Sequence, residues 1–455
     1  MTSSASVDRE NRWWSRRLAW PVVSAAAVRL ALLVFALVRG GTSIIASGDT
    51  ASYLEPGRNL LLHGRFVTAG LPEIGRTPGY PIFLAVASLP GSAFAALAQV
   101  ILSAFTVVLV WRLARAVFED ERFALTAAWL FAFEPVSVVY SVRLMPETLF
   151  LLLWLLSLER LTEFLLERRF RVLAEAGLWL AAAIFVRPVG YYLPLALALG
   201  LIVALARVPG LRWKAPAILL ISVLPWLAAW QVRNWVETGF GGFSSIVARN
   251  LYFYQAVEVT ARVEHRPFVE VQSQLGYPDE QAYLDRHPEQ AAWSQSQRIA
   301  YMNSQATQVL RSHPGVYLRT HVEGSAVVAF TPCAADLLRL LAVYPEDGET
   351  PKRVVNEGPA RAALRLAKAH PGPAAVMAAL EFVLLCLYLL AVRGAICGPV
   401  RRDVIWLMLG VSLYFLAVSG GAQGVGRLRL PVMPIVCIFA AAGLRRRNCP
   451  GPGGW

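Results

Sequence analysis

The stretch Ser47-Gly48-Asp49-Thr50-Ala51-Ser52-Tyr53-Leu54 sets a carboxylate one helical turn before a phenol. On a helix, Asp49 and Tyr53 can therefore share a face. Gly57-Arg58-Asn59-Leu60 follows, and then the block Gly75-Arg76-Thr77-Pro78-Gly79-Tyr80-Pro81. A carboxylate in this setting can take the proton of an attacking hydroxyl or amine. Asp49 before Thr-Ala-Ser-Tyr also reads as a helix N-cap, and the residues alone leave both roles open.

A second group is cationic. Arg76, Arg143, Arg187, Arg233, Arg427 and Arg429 all stand at the ends of apolar stretches. An arginine near a bilayer core costs on the order of a few kcal/mol unless it finds a partner. A guanidinium suits a phosphate bidentately, so the set reads as an anion site. The plainer account for any one of them is snorkelling to lipid headgroups. Glu147, after Pro146 at the start of an apolar helix, either answers the helix dipole or orients an arginine such as Arg76. Glu134, in Phe133-Glu134-Pro135, and Arg29 are charges inside apolar stretches. Either serves as a structural ion-pair member, and a proline-broken helix can leave Glu134 facing a wet cavity.

The six histidines are scattered, without metal-ligand spacing, and there is no phosphate-binding loop. The sequence calls for no cofactor; a divalent cation is compatible with it but has no motif. The glycine-rich Gly420-Gly421-Ala422-Gln423-Gly424-Val425-Gly426 leads into an apolar stretch and reads as a flexible outer loop. The absence of a nucleotide motif fits an enzyme whose activated donor is a lipid.

The elements that must position these residues are membrane helices. The chain has 455 residues, is 56% hydrophobic and 16% charged, and has a mean hydropathy of +0.50; a soluble domain carries about 25% charge. Apolar runs of bilayer length fall at 18–38, 92–113, 123–142, 146–166, 172–186, 190–206, 215–232, 374–392, 404–418 and 430–444. The first is too long for a signal-peptide core and reads as a retained helix. Alternate connections are basic: Arg9, Arg12, Arg16 and Arg17; Arg112, Arg115 and Arg122; Arg168, Arg169 and Arg171; Arg207, Arg212 and Lys214; Arg393, Arg401 and Arg402; Arg445, Arg446 and Arg447. All land on one face if there are about ten spans with both termini in the cytoplasm. That placement accounts for the net charge of +13 without nucleic acid.

The expected organisation is a cytoplasmic tail (1–17), a transmembrane catalytic part (18–235) with a first outer loop (39–81), an extracytoplasmic segment (236–372), C-terminal membrane helices (373–444) and a cytoplasmic tail (445–455). Within 236–372, the stretch 314–331 carries Arg319, His321 and Glu323 and reads as an interfacial helix rather than a span.

Gly48-Asp49-Thr50 with Tyr53, the Arg76–Pro81 block, Val186-Arg187-Pro188, Pro225-Trp226 with Arg233-Asn234, and Arg427-Leu428-Arg429-Leu430-Pro431 together resemble the bacterial GT-C glycosyltransferases, in particular the protein O-mannosyltransferase and lipid A aminoarabinose transferase group. The resemblance covers roughly 18–235 and 374–444. It implies an all-helical polytopic fold in the inner membrane, with a catalytic aspartate on the first outer loop, matched by Asp49. It also implies a polyprenyl-phosphate-sugar donor and an envelope acceptor. Arg76 stands where the family often has a basic residue before prolines, and Glu147 where a second carboxylate can pair with it. Many relatives carry Asp-Glu where this chain has Asp49-Thr50.

The expected reaction is a single in-line displacement with inversion. Asp49, with Glu147, does the catalytic work; Arg76, Arg187, Arg233, Arg427 and Arg429 hold the phosphate; Tyr53, Arg58, Tyr80 and Asn234 position substrate. A transporter or lipid flippase is the main alternative, but it predicts inverted repeats that are not evident. A polymerase or ligase of lipid-linked glycans is another, and a membrane scaffold leaves the outward arginines unexplained.

Overall fold

A computed structural model describes residues 16–344, 359–398 and 400–444. Arg9, Arg12, Arg445, Arg446 and Arg447, which entered the charge argument, lie outside the described residues. The chain is an all-helical, multi-pass membrane protein. Its helices are α1 (Ala19–Ile45), α2 (Thr50–His63), α3 (Gly79–Ala87), α4 (Ser92–Phe118), α5 (Glu121–Ala132), α6 (Pro135–Val142), α7 (Glu147–Glu167), α8 (Phe170–Val186), α9 (Leu193–Ala204) and α10 (Lys214–Thr238). A one-turn helix, Pro209–Arg212, leads into α10. After α10 come α11 (Ile246–Asn250), a π-helical turn (Leu251–Ala256), α12 (Val257–Val263), α13 (Phe268–Gln274), α14 (Glu280–Arg286), α15 (Gln295–Ser312), α16 (Pro314–Phe330) and α17 (Ala334–Leu340). Then come α18 (Pro359–Ala369), α19 (Pro371–Cys397), α20 (Arg402–Val418), a 3-10 turn (Gly426–Val432) and α21 (Met433–Gly443). A two-residue hairpin, β1 (Val67–Thr68) against β2 (Leu71–Pro72), sits in the first loop.

Five described helices are long and apolar enough to cross a membrane: α1 with its lead-in turn, α4, α10, α19, and α21 with the 3-10 turn before it. Bilayer thickness explains their lengths. The expected single span 123–142 is instead two helices, α5 and α6, bent by 53°. The cause is local. Pro135 cannot continue α5, and the Glu134 carboxylate accepts the Ser137 N–H at 2.6 Å, capping α6. The break frees the Ala132 carbonyl, which accepts Arg29 Nη1 at 2.7 Å. Arg29 also donates to Ser103 Oγ at 2.8 Å and Ser137 Oγ at 3.0 Å. These bonds offset the penalty of burying a guanidinium completely in the bundle.

Close helix approach uses small residues, as in other membrane bundles. A Cβ added at Gly394 of α19 would sit 1.8 Å from the Phe439 carbonyl oxygen of α21. The C-terminal ends of α19 and α21 therefore lie together, while α20, between them in sequence, packs on α9 and the 3-10 turn. At the C-terminal end the basic connections meet acids: Arg112 Nε with Glu159 at 2.7 Å, and Arg168 with Asp403 at 3.3 Å. Arg401 donates to the Leu165 carbonyl at 3.2 Å. The stretch from the π turn to α15 has its own small core of Tyr252, Phe253, Ala256, Tyr283, Met302 and Ala306.

Candidate active site

The opposite end of the bundle gathers the N-terminus of α7, the C-termini of α1 and α8, and the turn before α21. Asp49 occupies the N-cap position of α2, but its side chain makes no capping bond. Ser47 and Thr50 handle that end themselves: Ser47 N–H donates to Thr50 Oγ1 at 2.8 Å, and Thr50 Oγ1 donates to the Leu144 carbonyl at 3.1 Å. The Asp49 carboxylate, 44% exposed, instead accepts Arg76 Nη2 at 2.8 Å. The same guanidinium donates from Nη1 to Tyr53 Oη at 2.9 Å and from Nε to Ser52 Oγ at 3.1 Å. It lies 4.2 Å from the Tyr53 ring centroid.

Arg76 is held in place by backbone. Glu73 Oε1 accepts the N–H groups of Gly75 and Arg76 at 2.6 and 2.8 Å, while Glu73 Oε2 accepts the Thr68 hydroxyl of the hairpin. Gly57 lets α2 meet α3, since a Cβ there would fall 2.1 Å from the Pro81 carbonyl oxygen. Tyr80, fully buried, packs edge-on against Tyr53 with ring centroids 5.1 Å apart and donates to Gln99 at 2.8 Å. It thus supports Tyr53 from behind.

Behind this layer lies Glu147, 1% exposed at the start of α7. Its Oε1 is 3.4 Å from Arg187 Nη1 and 3.7 Å from Arg427 Nε; its Oε2 has no hydrogen-bond partner. Burial pushes the Tyr53 phenol above its ordinary value, with Arg76 and Arg187 opposing the shift and the Glu147 and Asp49 carboxylates adding to it. The bond from Thr50 to the Leu144 carbonyl, three residues before Glu147, holds the start of α2 beside the start of α7.

Of the six arginines at helix ends, Arg76 pairs with Asp49 and Arg143 approaches Asp336, and the other four divide into two groups. Arg187 and Arg427 converge on Glu147. Arg233 and Arg429 do not. Arg233 donates to the carbonyls of Glu73 at 2.7 Å and Phe66 at 3.0 Å, clamping the first loop onto α10. Arg429 is buried and donates to the Thr331 and Val328 carbonyls, which α16 leaves free at its C-terminus. Asn234 is equally occupied, donating to Gly242 at 2.9 Å. Arg58 lies exposed on α2. Glu147 pairs with Arg187 and Arg427 rather than with Arg76, whose carboxylate is Asp49.

Two features escaped the sequence. Asp336 of α17 accepts the Tyr140 hydroxyl at 2.6 Å and approaches Arg143 at 3.9 Å, so α17 contributes an acid to this end. The Cys333-Ala-Ala-Asp336 stretch carries no signal for it. The glycine-rich loop is not a flexible excursion. Gly420 and Gly421 are buried, and the loop presses backbone to backbone on α16, where a Cβ on Gly324 would lie 2.0 Å from the Gly421 carbonyl oxygen. The loop runs on into the 3-10 turn that carries Arg427. Among the described residues, no cluster of three His, Cys, Asp or Glu side chains could hold a metal.

Known proteins add the following. An archaeal oligosaccharyltransferase, AglB from Archaeoglobus fulgidus in complex with an inhibitory peptide and a dolichol-phosphate, aligns with 92% of this chain and 50% of its own, at 12% identity and a TM-score of 0.46. ArnT from Cupriavidus metallidurans bound to undecaprenyl phosphate aligns with 94% of this chain and 78% of its own, at 14% identity and a TM-score of 0.42. The chain thus spans about half the length of the oligosaccharyltransferase. No curated protein matches it by sequence. A family model does: over residues 81–230 the chain is similar to the dolichyl-phosphate-mannose-protein mannosyltransferases, in keeping with its resemblance to the GT-C glycosyltransferases.

Proposed function

We propose that this protein transfers a sugar from a polyprenyl-phosphate carrier to a hydroxyl or amine acceptor on the outer face of the inner membrane. The observation that carries the reading is one constellation. A half-exposed carboxylate, Asp49, is steered by Arg76, and a buried carboxylate behind it holds two guanidiniums at loose distances. The family matched over 81–230 is named for a lipid-phosphate-linked mannose and a protein acceptor, which supports this donor class.

The acceptor oxygen or nitrogen attacks the anomeric carbon as its bond to the carrier phosphate breaks. The bonding pair leaves on the phosphate oxygen, the acceptor proton goes to Asp49, and configuration inverts. Arg76 engages Oδ1 of Asp49, which leaves Oδ2 for the proton in this reading. The leaving phosphate needs its developing charge stabilised rather than a general acid, and fixed guanidiniums in a dry site provide that. Arg187 and Arg427 fill this role, because contacts of 3.4 and 3.7 Å to Glu147 leave donors for an incoming anion. Arg76 becomes a positioning residue for Asp49. Arg233, bonded to loop carbonyls, leaves the phosphate set, as does Arg429.

The test is transfer of labelled sugar from polyprenyl phosphate in membranes carrying wild type or the Arg187→Gln, Arg427→Gln double variant. A rise in donor KM of about a hundredfold is expected from the loss of two charge-assisted contacts. Unchanged donor KM in the double variant overturns the phosphate assignment. Flux of intact carrier across liposomes without covalent transfer overturns the enzyme reading.

A further inference from the structure

The outer segment reaches over the site with one helical rod. α11, the π turn and α12 run without a break from Ile246 to Val263. The rod is tied at its start to the first loop, immediately before Arg76: Ser245 N–H donates to the Ile74 carbonyl at 2.8 Å, and Ser244 Oγ to the Gly75 carbonyl at 2.5 Å. Further along it is tied to the glycine loop that leads to Arg427. The Ala422 N–H donates to Gln255 Oε1 at 3.4 Å, and Gln255 packs against Gly421. The rod therefore bridges the two loops that carry Arg76 and Arg427.

Between these ties the helix widens into the π turn, a distortion that occurs frequently at functional sites because it re-aims side chains. Tyr254, within that turn, is half-buried. Its hydroxyl lies 2.8 Å from the Tyr277 hydroxyl, with ring centroids 5.6 Å apart and nearly perpendicular. Burial and the bond to Tyr277 push the Tyr254 phenol above its ordinary value; the Asp49 carboxylate adds to that push and Arg249 opposes it. Tyr254 stands next to Gln255 on the rod, between the tie beside Arg76, the partner of Asp49, and the tie to the glycine loop, so the phenol pair belongs to the end of the bundle that carries Asp49. One proton serves the bond between the two phenols. The remaining proton and lone pairs form a donor–acceptor edge next to two aromatic faces.

We propose that Tyr254 and Tyr277 form the acceptor subsite, and that the acceptor they take is a polyhydroxylated one, a glycan hydroxyl flanked by further hydroxyls, rather than a peptide side chain. Paired phenol hydroxyls match neighbouring ring hydroxyls in spacing and in their mixed donor and acceptor character. The inference rests on the reading of Asp49 as the acceptor's base. Tyr254 and Tyr277 are positioning residues in it, since they touch the acceptor's flanking groups and not the reacting atoms.

The experiment uses full-length protein in its native envelope membranes. The probes are polyprenyl-phosphate-linked mannose, glucose and arabinose, each labelled in the sugar. Label is counted in the glycan and lipid fraction, in protein, and as free sugar released by water. Tyr254→Ala is expected to lower glycan incorporation by about tenfold or more, the loss of a bonded and stacked contact. Release of free sugar and donor KM stay at wild-type values. Tyr254→Phe and Tyr277→Phe, which keep the rings, fall between. Incorporation, water release and donor KM that all fall together mark a merely structural role and overturn the proposal. So does label arriving in protein, or full incorporation by Tyr254→Ala. Wild type that turns over none of the three donors defeats the reading of the site itself, and the subsite with it.

Discussion

Asp49→Asn separates chemistry from structure at this site. The carbonyl oxygen of asparagine stands where Oδ1 does, so the 2.8 Å bond from Arg76 Nη2 and the bonds of Arg76 to Tyr53 and Ser52 have no reason to move. What changes is the charge. The pair is 44% exposed on the aspartate side and 18% on the arginine side, so solvent screens much of the attraction, and its loss costs about 0–1 kcal/mol of stability. Asp49 makes no capping bond, so α2 loses nothing at its N-terminus. An amide cannot take the acceptor proton, and removal of a positioned general base lowers the rate by about 10²–10⁴-fold. Initial rates with labelled donor in membranes, set beside thermal unfolding in detergent, read the two quantities independently. The expected result is a large fall in kcat with donor KM and unfolding temperature close to wild type. Asp49→Asn turning over within tenfold of wild type refutes the assignment of the base. An equal rate loss accompanied by early unfolding refutes the claim that Asp49 is free of structural duty.

Glu147→Gln is expected to act in the opposite sense on the two observables. It leaves Arg187 and Arg427 without their shared carboxylate, and the guanidiniums are only 14% and 30% exposed; discounting the full buried-pair cost for that exposure gives a stability loss of about 1–3 kcal/mol. Free polyprenyl phosphate should bind more tightly, because the neutralising charge is gone; weaker binding in a product-inhibition assay counts against the anion site. Gly324→Ala puts a methyl 2.0 Å from the Gly421 carbonyl oxygen and 2.3 Å from its nitrogen. Backbone must move, at about 1–3 kcal/mol, and Arg427 moves with it, so donor KM should rise although residue 324 touches no proposed substrate; unaltered kinetics would show that the glycine loop does not seat the arginine.

The class of the protein was legible because a bilayer turns three-dimensional structure into a one-dimensional pattern. Runs of apolar residues must match its thickness, and backbone polar groups in it must be satisfied within helices. That is why helices occupy the stretches read as spans, and why Asp49 and the end-of-span arginines could be named as polar groups at apolar boundaries. The break at Glu134-Pro135 was half visible, since proline ends a helix, but its 53° bend and the arginine that answers it from α1 were not.

Only packing decided which charge meets which. Arg187 and Arg233 look alike in the sequence, both close to the end of an apolar helix. One faces Glu147 and the other bonds to the Phe66 and Glu73 carbonyls, because the hairpin of the first loop lies across α10. Arg76 and Asp49 are joined through the fold of that loop, and Asp336 of α17 meets Tyr140 of α6 from 196 residues along the chain. Hydropathy places a residue along the membrane normal but not around the bundle. The rotation and pairing of helices, set by contacts such as Gly394 on Phe439 and Gly324 on Gly421, supply the other two dimensions.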